Sequence, residues 1–147
     1  MSKKPEDIFR DEKVLPMLRS FGYAQRIENS IGSDLADLIY CVRRQGQISG
    51  RSGWIELKHV NKWPSRFDSP LRFKHFTIGQ ARFLSDWYTP GAKTCVLVEV
   101  GADYFLMEGT EAKELQRGMT RSEIFKMAAV VGEKVFPAGR ILLWLTN

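Results

Sequence analysis

Glu56 and Lys58 stand two residues apart in GWIELKHV, residues 53–60. Trp54, Ile55, Leu57 and Val60 make that run apolar enough for a strand packed into a core. Side chains alternate across a strand, so positions i and i+2 share a face. Glu56 and Lys58 therefore lie side by side, either as a surface ion pair or as part of a site. Asp34 and Asp37 precede another apolar run, LIYCV, and the segment between the runs, QGQISGRSG, is turn chemistry. The two runs should form an antiparallel hairpin, which brings Asp37 near Glu56 and Lys58. Two carboxylates that close repel each other unless a divalent cation lies between them. Hard oxygen ligands suit magnesium, which binds through one or two carboxylates together with waters and substrate phosphate. A lysine beside it can orient or help deprotonate an attacking water and offset phosphate charge. The chemistry such a site would serve is metal-assisted attack of water at a phosphate; the bland alternative is an Asp37–Lys58 cross-strand ion pair on a solvated face.

The elements that must position these residues follow from pattern. DEKVLPMLRSFGY reads as a helix, with Val14, Leu15, Leu18 and Phe21 at helical spacing and Gly22 suited to a C-cap. Pro16 is awkward inside that helix, which may begin near Leu15 instead. Residues 1–10 are polar and expected to be frayed. Three strands should follow: AQRIENS, DLIYCVRR and GWIELKHV. Residues 61–76 carry two prolines with many basic and aromatic side chains and read as a loop or lid. TIGQARFLSDWY is a helix with Thr77 as N-cap. TCVLVEVG and DYFLMEG form a second strand pair around Gly101 and Ala102. TEAKELQRG and TRSEIFKMAAVVG read as helices, and RILLWLT as a final strand or terminal apolar segment. This order predicts an α/β fold, a mixed central β-sheet flanked by helices, in one domain spanning residues 1–147.

Composition bounds the partners. The chain has 147 residues, 44% hydrophobic and 27% charged, with a net charge of +5 and a pI near 9.4. No apolar run reaches the ~18–20 residues needed to span a bilayer, and the polar N-terminus lacks a signal-peptide core. The expected place is the cytoplasm, with no membrane partner. The basic residues Arg43, Arg44, Lys62, Arg66, Arg72 and Lys74 are interleaved with aromatics such as Trp63, a mix that can grip phosphates and stack on bases. A solvated basic face over an aromatic core is the competing reading. Cys41 and Cys95 lie in apolar runs and are expected to be buried free thiols without zinc-site spacing. His59 and His75 stand too far apart in sequence to suggest a histidine-metal nuclease, and no glycine-rich phosphate loop is present.

DLADLIYCV followed by GWIELK resembles the signature of the PD-(D/E)XK nuclease superfamily, with Ala36 where the family carries proline. The resemblance implies a restriction-endonuclease-like core in which Asp37, Glu56 and the Leu57 carbonyl bind Mg²⁺ (Mn²⁺ possible) while Lys58 attends the water. Two branches look similar. In archaeal-type Holliday junction resolvases a glycine-aromatic pair and a stretch bearing serine and glycine precede the acid, as Gly22, Tyr23, Ser30, Gly32 and Ser33 do here. In the VRR-NUC branch, which includes small phage-encoded proteins, a glutamine opens the helix after the E-x-K strand, as Gln80 does. The family often adds an acid from the first helix, which Asp11 or Glu12 would supply, with Glu28 the rival. Asp34 reads as a turn residue.

The resemblance thus implies an Mg-dependent endodeoxyribonuclease acting as a homodimer on branched or duplex DNA, junction resolution leading. Its DNA contacts would come from Ser30, Arg43, Arg44, Lys62, Trp63, Arg66, Arg72 and Lys74, and its place would be the host cytoplasm if phage-encoded. The alternatives are a nucleic-acid-binding module without catalysis and a general or restriction-type endonuclease.

Overall fold

The computed structural model describes residues 2–28 and 34–147; Ser30, Gly32 and Ser33 fall outside the described residues. Six strands pair in chain order into one sheet: β1 (Gly22–Arg26), β2 (Leu38–Val42), β3 (Arg51–Val60), β4 (Lys93–Val100), β5 (Asp103–Glu108) and β6 (Val130–Glu133). All neighbours are antiparallel except β3 and β4, which run parallel. A parallel pair needs a long crossover, and here residues 61–77 and helix α3 (Ile78–Tyr88) supply it. The fold is α/β, a mixed sheet with helices on both faces.

One face of the sheet carries Leu38, Tyr40, Ile55, Leu57, Leu97 and Leu106, buried against Phe9, Val14 and Leu18 near the N-terminus and Ile141 and Leu145 near the C-terminus. The other carries Val96, Val98, Phe105 and Met107 against Leu84, Leu115 and Ile124. The last three lie on α3, α4 (Ala112–Arg117) and α5 (Arg121–Met127). Covered on both sides, β4 reads TCVLVEV without alternation, as a doubly buried strand should. In β2 the alternation is clean, so Leu38, Tyr40 and Val42 point inward while Ile39 and Cys41 face out. Cys41 is therefore exposed, contrary to expectation. Cys95 is buried as expected, and burial pushes its thiol up.

Several elements differ from the sequence expectation for identifiable reasons. Residues 5–19 form one helical stretch: α1 (Pro5–Phe9), a π-helical turn (Arg10–Val14) and α2 (Leu15–Arg19). Pro16 has no N–H to give the carbonyl four residues back. The wider turn just before it, in which the Leu15 N–H bonds the Arg10 carbonyl, absorbs the misfit. Residues 5–9, expected to be frayed, are helical because Pro5 opens the turn, Glu6 and Asp7 suit its positive end, and Phe9 packs on Tyr104 and Phe136. Gly22 opens β1 rather than capping a helix; a Cβ there would lie 2.1 Å from the Cys41 carbonyl oxygen, so the strands close only over glycine. Residues 130–133 leave the expected helix to form edge strand β6, with Val130 and Gly132 turned inward. RILLWLT belongs to α6 (Ala138–Thr146), where Ile141, Leu142 and Leu145 recur at helical spacing on the core side.

Candidate active site

The β2–β3 ladder ends where Leu38 faces Ile55, but β3 continues to Val60 beside β4. Beyond Ile55, β3 thus has β4 on one side and no strand on the other. A residue's N–H and C=O point to the same side of a strand and alternate along it. Leu57 and His59 accordingly turn theirs to the open edge, where main-chain donors need other acceptors. The Asp37 carboxylate takes the Leu57 N–H, donated to Oδ2 at 2.8 Å. Glu6, on α1, is set at the His59 N–H. The Leu57 carbonyl faces the same edge.

On the adjoining face, Glu56 is 0% exposed and Lys58 is 5% exposed. The Lys58 ammonium lies 2.8 Å from Glu56 Oε1, an ion-pair distance. The approach misses hydrogen-bond direction, and both Glu56 oxygens are buried with no hydrogen-bond partner among the described residues. Lys58 Nζ instead donates to the His75 carbonyl at 3.1 Å and sits 5.3 Å from the centre of the Phe76 ring. Burial, then the neighbouring Asp37, pushes the Glu56 carboxyl up to about 8 against the pull of Lys58. Burial also raises Asp37, offset by the Leu57 N–H and by Lys58. For Glu6, burial raises the carboxyl and Lys58 opposes it.

Two clefts meet here. One, of about 420 Å³, is lined by Lys4, Glu6, Lys58, His59, Arg72, Lys74 and His75. The other, of about 450 Å³, is lined by Lys4, Glu6, Arg10, Arg26, Glu28 and Asp37. Glu6 and Lys4 belong to both. Acids at the floor and cations at the walls can hold a metal ion below and a phosphate above.

The fit to a divalent cation can be judged from the donors. Among the described residues no group of three or more His, Cys, Asp and Glu side chains is placed to hold a metal ion by itself. A magnesium site does not need one: one or two carboxylates suffice, the rest being water and phosphate. Buried Glu56 oxygens whose one cationic neighbour is Lys58, beside a second carboxylate, are a donor set that such an ion completes. The residues fit.

The other sequence-derived candidates fall in varied places. Gln80 opens α3 as expected, but its Oε1 accepts the Thr77 N–H at 3.1 Å in a capping box. Its carboxamide oxygen is engaged at the helix start rather than with the carboxylates. Glu12 is exposed on the π-helical turn, whereas Glu28 is an exposed wall of the second cleft. Arg72 and Lys74 line the first cleft. Lys62 and Arg66 are exposed on the loop after β3. Trp63 is turned into packing, with Phe105 stacked at 6.2 Å and its Nε1 donating to Asp103 at 2.9 Å. Arg43 and Arg44 follow β2 at the end away from Asp37, about 20 Å along the strand at ~3.3 Å per residue. Ser30 lies outside the described residues.

Glu6 is the residue that sequence reasoning missed. Its signal was present in PEDIF: proline followed by two acids is a helix start. A helix beginning at Pro5 sets Glu6 one turn before the buried Phe9.

An α/β fold with a mixed six-stranded sheet flanked by helices has the restriction-endonuclease-like layout. No family model matches the sequence, and no curated protein matches it either. Among solved structures, the chain is similar to Archaeoglobus fulgidus Hjc, a Holliday junction resolvase from an archaeal hyperthermophile. The TM-score is 0.57 at 13% sequence identity, covering 92% of this chain and 98% of that one. The likeness is one of fold.

Proposed function

We propose that this chain is a divalent-metal-dependent nuclease that hydrolyses phosphodiester bonds within DNA, with branched DNA of the Holliday junction kind as its leading substrate. The observation that carries this reading is Glu56, a fully buried carboxyl without a hydrogen-bond partner, set beside Asp37 and Lys58 on an open strand edge. Asp37, Glu56 and the Leu57 carbonyl would hold Mg²⁺ or Mn²⁺, which supplies Lewis-acid stabilisation of phosphoryl charge and acidifies a water. Lys58, fixed by the His75 carbonyl, is placed to orient that water and to offset charge gathering on the phosphate. Lys4, Arg72 and Lys74 at the rim attract the DNA backbone irrespective of sequence. Glu6 joins the acids as the contribution from the first helix.

The similarity to a resolvase supports the junction substrate. The VRR-NUC resemblance rested on Gln80, whose carboxamide oxygen caps α3, so the resolvase branch is the better supported. Paired cuts in a four-way junction require two active sites, which makes a homodimer of single-domain protomers the working assembly. Among the described residues no helix is long and apolar enough to cross a membrane, and the proposed place of action is the cytoplasm.

The test incubates the protein with four-way junction, flap, duplex and single-stranded DNA, with Mg²⁺, with Mn²⁺ and with chelator. Cleavage should require metal and vanish in Asp37→Ala and Lys58→Ala, with DNA binding retained. A symmetric pair of nicks confined to the junction selects resolution, and indiscriminate duplex cutting selects a general endonuclease. Failure to cut any substrate with either metal refutes the nuclease reading in favour of a DNA-binding module.

A further inference from the structure

We propose that the groove between residues 63–69 and Arg121 receives an unstacked nucleobase of the DNA, with Phe67 as its stacking platform. The inference rests on the nuclease reading only for taking DNA as the ligand. The aromatic residues of this loop divide sharply. Trp63 packs on Phe105 and meets Phe125 edge-on at 5.6 Å, and Phe76, 5% exposed, is packed against Phe73. Phe67 alone among them stays outside, 80% exposed.

The backbone beneath it is held by hydrogen bonds. The turn that carries it is closed by the Ser69 N–H donating to the Arg66 carbonyl at 3.1 Å, and Leu71 pins the following chain by donating to the Met119 carbonyl at 2.8 Å. The groove beside it is about 220 Å³, lined by Trp63, Pro64, Arg66, Phe67 and Arg121 among others. That is below the ~300–1,000 Å³ of pockets for whole small-molecule ligands, and suits a base alone.

The charges complement a nucleic acid. The Arg121 guanidinium lies 4.9 Å from the Trp63 ring and 5.1 Å from the Phe125 ring, forming a flat cationic wall. Its link to Asp103 is loose, at 3.5 Å. Arg66 pairs with Asp68 at 3.4 Å, but both are largely exposed, so the pair is weak and exchangeable for a phosphate. Stacking on an aromatic ring accepts any base that is free of its partner. The groove would therefore select unpaired bases, as at a branch point, without reading sequence. The same loop walls the first cleft through residues 72–75.

The experiment uses the cleavage-deficient Glu56→Gln protein with Mg²⁺ and a four-way junction carrying 2-aminopurine at the branch point. Binding should brighten the probe, and adding Phe67→Ala should cut that gain by more than half. Affinity for the junction should fall roughly tenfold, with a smaller change for fully paired duplex, and Phe67→Trp should restore the affinity. Phe67 is exposed, so its truncation leaves the packing intact. Equal brightening with and without Phe67, equal loss on junction and duplex, or no binding of either DNA overturns the proposal. A probe response that depends on Phe67 in a protein whose wild type cuts nothing supports the groove and refutes the nuclease reading alone.

Discussion

Glu56 makes the metal-free protein lose stability as pH rises, and the size of the loss follows from its surroundings. In the fold its carboxyl is held at about 8, against an ordinary value of 4.5. Below pH 4.5 the group is protonated in both states and neither is favoured. Between 4.5 and 8 the unfolded chain releases the proton while the native state keeps it, so each pH step favours unfolding. At 1.36 kcal/mol per unit the whole window is worth about 5 kcal/mol, of which about 4 kcal/mol falls between pH 5 and pH 9. Asp37, also raised by burial, pushes in the same direction.

The perturbation is Glu56→Gln, which keeps the shape and removes the titration. Its absolute stability is set by a second effect, the burial of an amide and the loss of Lys58's partner, so the informative quantity is the change with pH. Urea unfolding or thermal melts of both proteins at pH 5 and pH 9, in chelator, supply it. Wild type should lose about 4 kcal/mol more than the variant, or about 10 °C in Tm for a chain of this size. The difference between the two proteins isolates Glu56 together with Asp37, which is coupled to it. Adding Mn²⁺ at pH 8 should recover stability in wild type and little in the variant. Parallel pH profiles for the two proteins, or a wild type that gains stability from pH 5 to pH 9, would show that burial does not outweigh Lys58 at Glu56.

Further outcomes follow from named contacts. Glu6→Gln should raise the metal concentration needed for cleavage by roughly 10–100-fold, while Glu12→Gln, exposed on the π-helical turn, should leave metal titrations within about twofold of wild type. Gln80→Glu preserves an acceptor for the Thr77 N–H and should cleave like wild type, whereas Gln80→Ala should cost about 1 kcal/mol of stability by urea unfolding. Phe9→Ala removes the anchor of α1 from between Tyr104 and Phe136; chemical denaturation should show a loss of about 3–5 kcal/mol.

The placement of Asp37, Glu56 and Lys58 was legible in the sequence because it depended on alternation alone. GWIELKHV set Glu56 and Lys58 on one face, and the turn before it set Asp37 opposite them, because register in a hairpin is fixed by its turn and its buried side. What alternation cannot show is where a ladder stops. The open edge beyond Ile55, which turns Leu57 toward Asp37 and His59 toward Glu6, exists only because β2 is shorter than β3. Nor can it show which aromatics of a loop will be buried: Trp63 and Phe67 look alike as text, and only the packing of α5 behind the loop separates them. The C-terminal third was misread where short apolar runs such as AAVVG and RILLWLT satisfy strand and helix alike, and the position of neighbouring elements decides.

Asp34 and Gln80 show how residues off the site can still belong to it. The Thr77 hydroxyl accepts the Gln80 N–H at 3.0 Å, capping α3, and donates to Asp34 Oδ1 at 2.9 Å. A Cβ at position 79 would sit 2.0 Å from the Asp34 carboxylate, so glycine there lets the acid approach the start of the helix. Asp34 is thus more than a turn residue: it ties the chain that delivers Asp37 to the helix that follows the loop. Between them Ala36 is buried among the side chains of the α3 face, a place where a small apolar residue suffices. One end of the segment is fixed by the helix cap and the other by the Leu57 N–H, and a carboxylate held at both ends of its backbone is positioned before any ligand arrives. That tether gives Gln80 its part, through the cap it completes with Thr77, without requiring its side chain to touch the substrate.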